Sequence, residues 1–455
     1  MRNIGKYRLL ELLGHGGMAR VFKVMHLERK TLLALKLLRP SEMLLRFLGL
    51  AEIKKRFAEE ARIMNELRHP RIAAVHDIGE DAGHTFFVQE YLCFTLGMLI
   101  GESEFAERPS RPLSPLMALR LASQTLDGLG ALHQAGVVHR DIKPGNLMLT
   151  RQGDVKIIDL GLSRHEGSVQ KHPRAMVVGS PYYAAPEQEE APEAADPRAD
   201  IYSVGVVLYR MVTGILPDIR QEYTDRYSLL GPEWPQFLET ALAEDPNKRF
   251  PDTFSMKKAI AALGSQWEKR RDQVCRLPET EKSAAEKAAA CPVMLRKKPL
   301  HTGRKRPAGF TMVNALMQPV VHVENAFEET KDGTLDRASN LVWAQSVSDA
   351  PLDLAQAMAY VRDLNRWYAR QNQLAVWRLP TIDELVSLMS PRHSLEGFCR
   401  PSLAQLKHVT WLWSADMQTI RRAWIADLDQ GAVMVQDQMC RIHVLPVRDS
   451  TERQC

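Results

Sequence analysis

Long apolar runs are missing from this chain of 455 residues. No stretch of eighteen apolar residues occurs, and the segment from Ile201 to Val212 already contains Arg210. A bilayer-spanning helix needs roughly 20 such residues, so none is expected. The N-terminus likewise lacks the apolar core of a secretory signal. Six cysteines, at 93, 275, 291, 399, 440 and 455, form no C-x-x-C pair and fall unevenly, which excludes a regular disulfide framework and fits reduced thiols. The formal charge is only +5, too little for a global nucleic-acid-binding surface. No internal repeat is evident. What remains is a globular chain: 45% hydrophobic content supports full cores, and the length calls for two or three domains.

The chemistry-bearing residues gather in two short stretches. His139-Arg140-Asp141-Ile142-Lys143-Pro144-Gly145-Asn146 is followed, thirteen residues after its Asn, by Asp159-Leu160-Gly161. Two carboxylates, an amine and an amide on adjoining turns are the set needed to move a phosphoryl group onto a hydroxyl. That transfer needs a base to orient the hydroxyl, ligands for Mg²⁺ and positive charge for developing oxyanions. Asp141 suits the base, Asn146 and Asp159 the metal ligands, and Lys143 a partner for the γ-phosphate. Upstream, Leu13 to Val21 is a glycine-rich turn between two strand-like runs. Gly14, Gly16 and Gly17 let backbone N–H groups approach phosphates with no Cβ in the way. Such a turn alone is more often an ordinary hairpin. Its weight comes from Ala34-Leu35-Lys36, fifteen residues after Val21, whose lysine would grip the α/β-phosphates. The plainer reading of that lysine is a snorkelling edge residue. In Arg56 to Leu67, apolar residues at 57, 61, 64 and 67 mark one helical face. Glu60 borders that face, where it could meet Lys36, while Glu59 and Glu66 read as solvated charge.

In this order the motifs resemble those of the Hanks-type protein kinases, near the bacterial Ser/Thr branch, over residues 1 to about 266. The resemblance implies an α+β bilobal kinase fold, with an N-lobe of about 1–92 and a C-lobe of about 93–266. It also implies ATP with Mg²⁺ or Mn²⁺, and protein substrates. Gly179 to Glu187 resembles the substrate-positioning loop ending in A-P-E. Asp200 matches the aspartate that braces the catalytic loop, and Arg249 the arginine that would pair with Glu187. By the same carry-over Val21 and Ala34 roof the adenine and Met148 floors it; simple core is the bland reading of all three. Gln89 is the gatekeeper, and backbone groups of Glu90 and Leu92 bond the adenine edge. Lys143, two residues after the base, favours Ser/Thr substrates, and Ser180 keeps the hydroxyl that would bond Asp141 and Lys143. Two departures matter. Ala19 replaces the usual third glycine, and no threonine occurs between Asp159 and Glu187, where the only serines are Ser163, Ser168 and Ser180. Activation through the usual loop threonine is therefore excluded, which leaves Ser168 or a loop ordered by other means. The alternative to an active enzyme is a nucleotide-binding pseudokinase scaffold; intact Lys36, Asp141, Asn146 and Asp159 favour the enzyme. Many bacterial relatives of this class are membrane-anchored, so the absence of a span points to a cytoplasmic protein.

After Trp267 the composition changes. Residues 267–308 are rich in Lys, Arg, Glu and Ala, and Arg296-Lys297-Lys298 with Arg304-Lys305-Arg306 puts six positive charges in eleven residues. A solvated linker is expected, with a contact to acidic lipid or nucleic acid, or a substrate-like segment, as the alternatives. A second folded unit is expected over 309–455, which holds six of the eight tryptophans. Asp353 to Arg370 reads as an amphipathic helix, and Thr381 with Glu384 as a capping box that starts another. Strands are expected at His408–Ser414, Arg422–Leu428, Ala432–Gln436 and Cys440–Val447, with Asp429-Gln430-Gly431 as a hairpin turn. This unit resembles the C-terminal domain family first named for a Legionella collagen-like protein, over about 320 to 450. The resemblance is carried by Asp332 to Asp336, Leu341-Val342-Trp343, Trp377-Arg378-Leu379-Pro380-Thr381, Trp413-Ser414, Ala423-Trp424 and Val447-Arg448. It implies a small mixed α/β, lectin-like fold. Val376 stands where relatives often carry Asp, which removes one carboxylate from any ligand site. The tryptophans read first as the lock of a small core. Their functional reading is a pocket for a glycan, another small molecule or a protein, in a sensory or docking domain without catalytic groups.

Overall fold

A computed structural model describes residues 3–102, 106–160, 164–165, 182–190, 196–217, 230–274, 293–303, 310–321, 323–371, 376–389, 403–406 and 409–450. The chain divides into two compact units, Met1–Asp272 and Gln273–Cys455.

The first unit opens with strands β1 (Asn3–Ile4), β2 (Tyr7–His15), β3 (Ala19–His26) and β4 (Leu32–Leu38), then helix α1 (Glu42–Glu66), β5 (Val75–Asp81) and β6 (His84–Glu90). These strands form one antiparallel sheet in the order β1-β2-β3-β4-β6-β5. Its core is Ile4, Tyr7, Val24, Leu35, Leu37, Phe86 and Val88. Ser41 caps α1 by accepting from the Leu44 N–H, and Ile53, Phe57, Glu60, Ala61 and Met64 form its buried side. Phe57 rests on Phe87 of β6, ring centroids 5.1 Å apart. That contact fixes α1 against the strand next to β4.

The remainder of this unit is mainly helical: β7 (Phe94–Thr95), α2 (Leu96–Ile100), α3 (Pro115–Gln134), β8 (Val137–Val138), β9 (Leu147–Leu149), β10 (Val155–Ile157), β11 (Arg164–His165), α4 (Pro186–Glu190), α5 (Pro197–Thr213), α6 (Glu233–Ala241) and α7 (Thr253–Val274). Ser114 and Asp196 cap α3 and α5, each of which has proline in its first turn. A Cβ on Gly128 of α3 would meet Ile157 at 2.8 Å and the Arg71 carbonyl at 3.0 Å. The glycine thus lets α3 lie close under β10 and the α1–β5 loop.

The second unit contains β12 (Phe327–Thr330), β13 (Gly333–Asp336), β14 (Leu341–Ala344), α8 (Leu354–Arg370), α9 (Ile382–Ser387), β15 (Trp411–Thr419), β16 (Arg422–Asp427), β17 (Ala432–Asp437) and β18 (Val447–Asp449). Its two antiparallel sheets run β12-β13-β14-β18 and β15-β16-β17. Both helices start at capping boxes, Asp353 with Gln356 and Thr381 with Glu384. Trp343, Trp377, Trp411, Trp413 and Trp424 are buried, whereas Trp367 is 54% exposed. The five buried rings build the core.

Three expectations need correction. The last strand is Val447–Asp449, not Cys440–Val447. Over residues 440–446 the pairings are isolated bridges, Leu352 with Ile442 and Leu412 with His443, and Pro446 has no N–H for a ladder. Cys93 and Cys440 each take part in a disulfide, where unpatterned spacing had suggested free thiols. The part of the basic linker at 293–303 is structural. Arg296 pairs with Asp416 (2.8 Å) and Asp383 (2.9 Å), and the Thr381 hydroxyl donates to the Arg296 carbonyl. Met417 N–H donates to the Leu300 carbonyl and Thr302 N–H to the Met417 carbonyl, so the segment is a strap along β15. Of its three basic side chains, Arg296 is turned into the fold, while Lys297 and Lys298 are exposed.

Candidate active site

Strand β4 places Lys36 opposite Val21 of β3 and Phe87 of β6. Its ammonium lies 2.7 Å from Glu60 Oε1 and 2.6 Å from Asp159 Oδ1. Burial pushes this ammonium down, but the carboxylates of Asp159 and Glu60 outweigh it and hold Lys36 well above the usual lysine value. Glu60 is 2% exposed, and its Oε1 also accepts from the Leu160 N–H at 3.0 Å. One oxygen therefore joins β4, α1 and the D-L-G turn. Glu60 Oε2 is buried without a partner. Burial pushes Glu60 up to about 7, and Lys36 offsets that only in part.

The H-R-D segment is fixed from below. Asp200, the fourth residue of α5, is fully buried and accepts from the backbone N–H of His139 (2.9 Å) and Arg140 (2.7 Å), while His133 Nε2 lies 2.8 Å away. Burial pushes the Asp200 carboxyl up, but the hydrogen bond and charge of His133, the charge of His139 and the Arg140 N–H overcome it and leave the group below the usual carboxylate range. Both Arg140 (φ 68°) and Asp159 (φ 65°) sit in the left-handed region, which non-glycine residues seldom adopt. This backbone lets Asp159 turn a side chain that is 45% exposed toward Lys36.

Asp141 Oδ2 receives Lys143 Nζ at 2.8 Å and Asn146 Nδ2 at 2.9 Å, and the same amide donates to the Asp141 carbonyl at 2.7 Å. With its nitrogen so engaged, Asn146 presents Oδ1 as its acceptor. A carboxylate and an amide oxygen are the hard donors a small divalent cation takes, and two protein ligands suffice where phosphate oxygens and waters complete the shell. The residues fit such an ion.

The nucleotide-site residues expected from the sequence are distributed as follows. Gly14 lies in β2, and Gly16 and Gly17 in the turn before β3; a Cβ on any of them would meet nothing within 4 Å. The turn is tied down by its carbonyls, since Gly17 O accepts from Ser41 N–H and Met18 O from Arg39 N–H. Ala34 pairs with Gln89 across β4 and β6. Val21 and Leu92 are half-buried, as is Met148 on β9. The Glu90 N–H donates to the Ala74 carbonyl at 3.0 Å, and its carboxylate pairs with Lys156 at 2.6 Å. Glu187 and Arg249 form a double hydrogen bond, both legs 2.7 Å, with Arg249 stacked over Tyr202. Gly161, Ser163, Ser168 and Ser180 lie outside the described residues.

Two contributors escaped the sequence reading. Gln188 donates to the Arg140 carbonyl at 2.9 Å and so links α4 to the H-R-D segment. The other is the Leu160 N–H on Glu60. Neither has a local signal, because each bonds a partner at least 48 positions away.

Comparison with known proteins gives two family matches. Residues 7–261 match the family model of the protein kinase domain, and residues 332–448 that of the Lcl C-terminal domain. Among curated proteins, the chain is 34% identical over 275 residues to the serine/threonine-protein kinase PknA of Corynebacterium glutamicum, covering 56% of either chain. It is 32% identical over 322 residues to PksC of Streptomyces coelicolor (66% of this chain, 56% of that one). With PrkC of Bacillus subtilis it shares 31% identity over 271 residues (56% and 40%). The chain thus spans about half the length of the curated relatives it matches. Among solved structures, the PknI kinase domain of Mycobacterium tuberculosis, as a double mutant, aligns with TM-score 0.45 and 23% identity over 58% of this chain and 97% of that one.

Proposed function

The chain belongs to the protein kinase family, and on that premise we propose that its first unit transfers the γ-phosphate of ATP to serine or threonine hydroxyls of protein substrates. The observation that carries this reading is the Lys36 ammonium between Glu60 and Asp159, beside the Asp141–Lys143–Asn146 set. Protein kinases as a family use ATP and a divalent metal. Here Asn146 and Asp159 would hold Mg²⁺ or Mn²⁺, which when bound neutralises charge on the phosphate oxygens. Lys36, kept in place by Glu60, grips the α/β-phosphates. Gly14, Gly16 and Gly17 offer backbone N–H groups to phosphate. Val21, Ala34 and Met148 enclose the adenine, whose edge meets the Glu90 carbonyl and Leu92 N–H. Asp141 orients the substrate hydroxyl and takes its proton, and Lys143 steadies the γ-phosphoryl group.

Residues 1–266 are the catalytic domain in this reading. The C-terminal domain begins at 293 instead of 309 and serves to sense or dock a small molecule, a glycan or a protein. No helix among the described residues is long and apolar enough to cross a membrane. A cytoplasmic site of action is part of the proposal.

The test is ³²P transfer from ATP to a generic basic protein with Mg²⁺ or Mn²⁺. Lys36→Ala and Asp159→Asn should each lower the rate by roughly 10² to 10⁴ while far-UV circular dichroism stays unchanged. Wild-type turnover in Asp159→Asn would remove the metal assignment. No transfer by the unaltered protein would leave only nucleotide-dependent binding as its output.

A further inference from the structure

The strap at 293–303 carries one hydroxyl at a structurally sensitive place. Thr302 donates its N–H to the Met417 carbonyl at 2.9 Å, and its Oγ1 accepts from Trp424 Nε1 at 3.0 Å. The Trp424 ring meets Phe310 edge-on at 5.1 Å, and the Arg296 guanidinium lies over Phe310 at 5.5 Å. Arg296 faces two buried carboxylates, Asp383 and Asp416, and Asp383 Oδ1 has no partner. The Leu300 N–H, two residues before Thr302, also rests on Asp416 Oδ1 at 2.6 Å. Among the described residues this cluster has one positive group for two negative ones. A phosphate on Thr302 would add about 1.5 to 2 further negative charges beside it and crowd the Trp424 indole, so it would oppose the strap's attachment. In sequence, Thr302 lies between Lys297-Lys298 and Arg304-Lys305-Arg306.

We propose that Thr302 is a phosphorylation site of this protein's own kinase unit, and that phosphate there releases the strap from β15. The proposal rests on the kinase reading above. In the step, Thr302 Oγ1 forms a bond to the γ-phosphorus of ATP, the bond from that phosphorus to the β,γ-bridging oxygen breaks, ADP leaves, and the hydroxyl proton passes to Asp141. Release would add residues 293–303 to the connection between the units and expose the β15 edge.

The full chain incubated with Mg²⁺ and ATP, next to Asp141→Asn and Thr302→Val, tests this by phosphopeptide mapping and amide hydrogen exchange. Phosphothreonine at 302 is expected in the unaltered chain and not in Asp141→Asn. Exchange at the Leu300, Thr302 and Met417 amides should rise at least tenfold after phosphorylation and stay unchanged in Thr302→Val. Thr302→Glu carries charge without any transfer and should raise the same exchange rates. Labelling of a generic substrate with Thr302 unmodified overturns the proposal and spares the kinase reading. Failure to label either substrate overturns both. Unaltered exchange in phosphorylated protein or in Thr302→Glu overturns the release.

Discussion

Asp200 and Glu60 are both buried carboxylates, and the hydrogen bonds they receive set them on opposite sides of the ordinary value. Asp200 has donors on both oxygens, His139 N–H and His133 on one and Arg140 N–H on the other. Its charged form is favoured in the folded chain, so its folded pKa is depressed. Its stabilisation is complete above the unfolded value of about 4 and is lost as pH falls through the folded one. Asp200→Asn, which turns an amide N–H toward these donors, should cost ~1–3 kcal/mol at pH 7 and flatten the acid limb of urea stability. Glu60 gives the reverse sign. Its Oε2 is bare and its pKa is raised to about 7, so its contribution is complete below about pH 4 and is lost as pH rises through 7. The stability of wild type relative to Glu60→Gln should therefore decline from pH 5 to pH 8; a flat difference would mean that Glu60 does not titrate there. At this scale most of the site was legible, since Lys36, Asp141, Asn146, Asp159 and Asp200 sit in ordered motifs. Gln188 and the Leu160 N–H were not, because a distant amide bonding a backbone group has no sequence signature.

Among the elements, helix starts were the most readable. The capping box at Thr381 depends on residues three apart and was read as such, and the structure has it; the box of Asp353 with Gln356 at the start of α8 is an addition from the structure. Helix α1 was read only over its last two to three turns. Before Ala51 it is broken at Gly49 (φ 73°), and Met43, Phe47 and Leu50 on the earlier arm are exposed, so no apolar stripe announced it. The strap was misread for a different reason: charge density in a sequence says nothing about whether buried carboxylates await it. Arg296 is 18% exposed, and its partners Asp383 and Asp416 are at most 1% exposed. Arg296→Ala leaves two buried carboxylates unpaired, and a loss of about 3–5 kcal/mol in the second unit is expected from denaturant unfolding. A change under 1 kcal/mol would return the segment to the status of a surface linker.

For the whole molecule the consequence concerns where the second unit begins. A fragment spanning 293–455 retains Arg296, the hydrogen bonds to Met417 and the Thr302–Trp424 contact; one spanning 309–455 loses them all. The longer fragment should unfold cooperatively and melt well above the shorter one, and equal melting temperatures would show that the strap adds nothing. Residues 275–292, eighteen in all, then separate helix α7 from the strap in place of the roughly forty that composition suggested. The sequence by itself determined that the chain has a kinase unit followed by a smaller mixed unit, because phosphate-handling residues and helix caps act over short spacings and leave patterns in order. Only the tertiary structure decided which charges are solvated and which are buried. An arginine in a basic run and an arginine in a salt-bridged core are identical in sequence, and their difference lies in carboxylates 87 and 120 positions away.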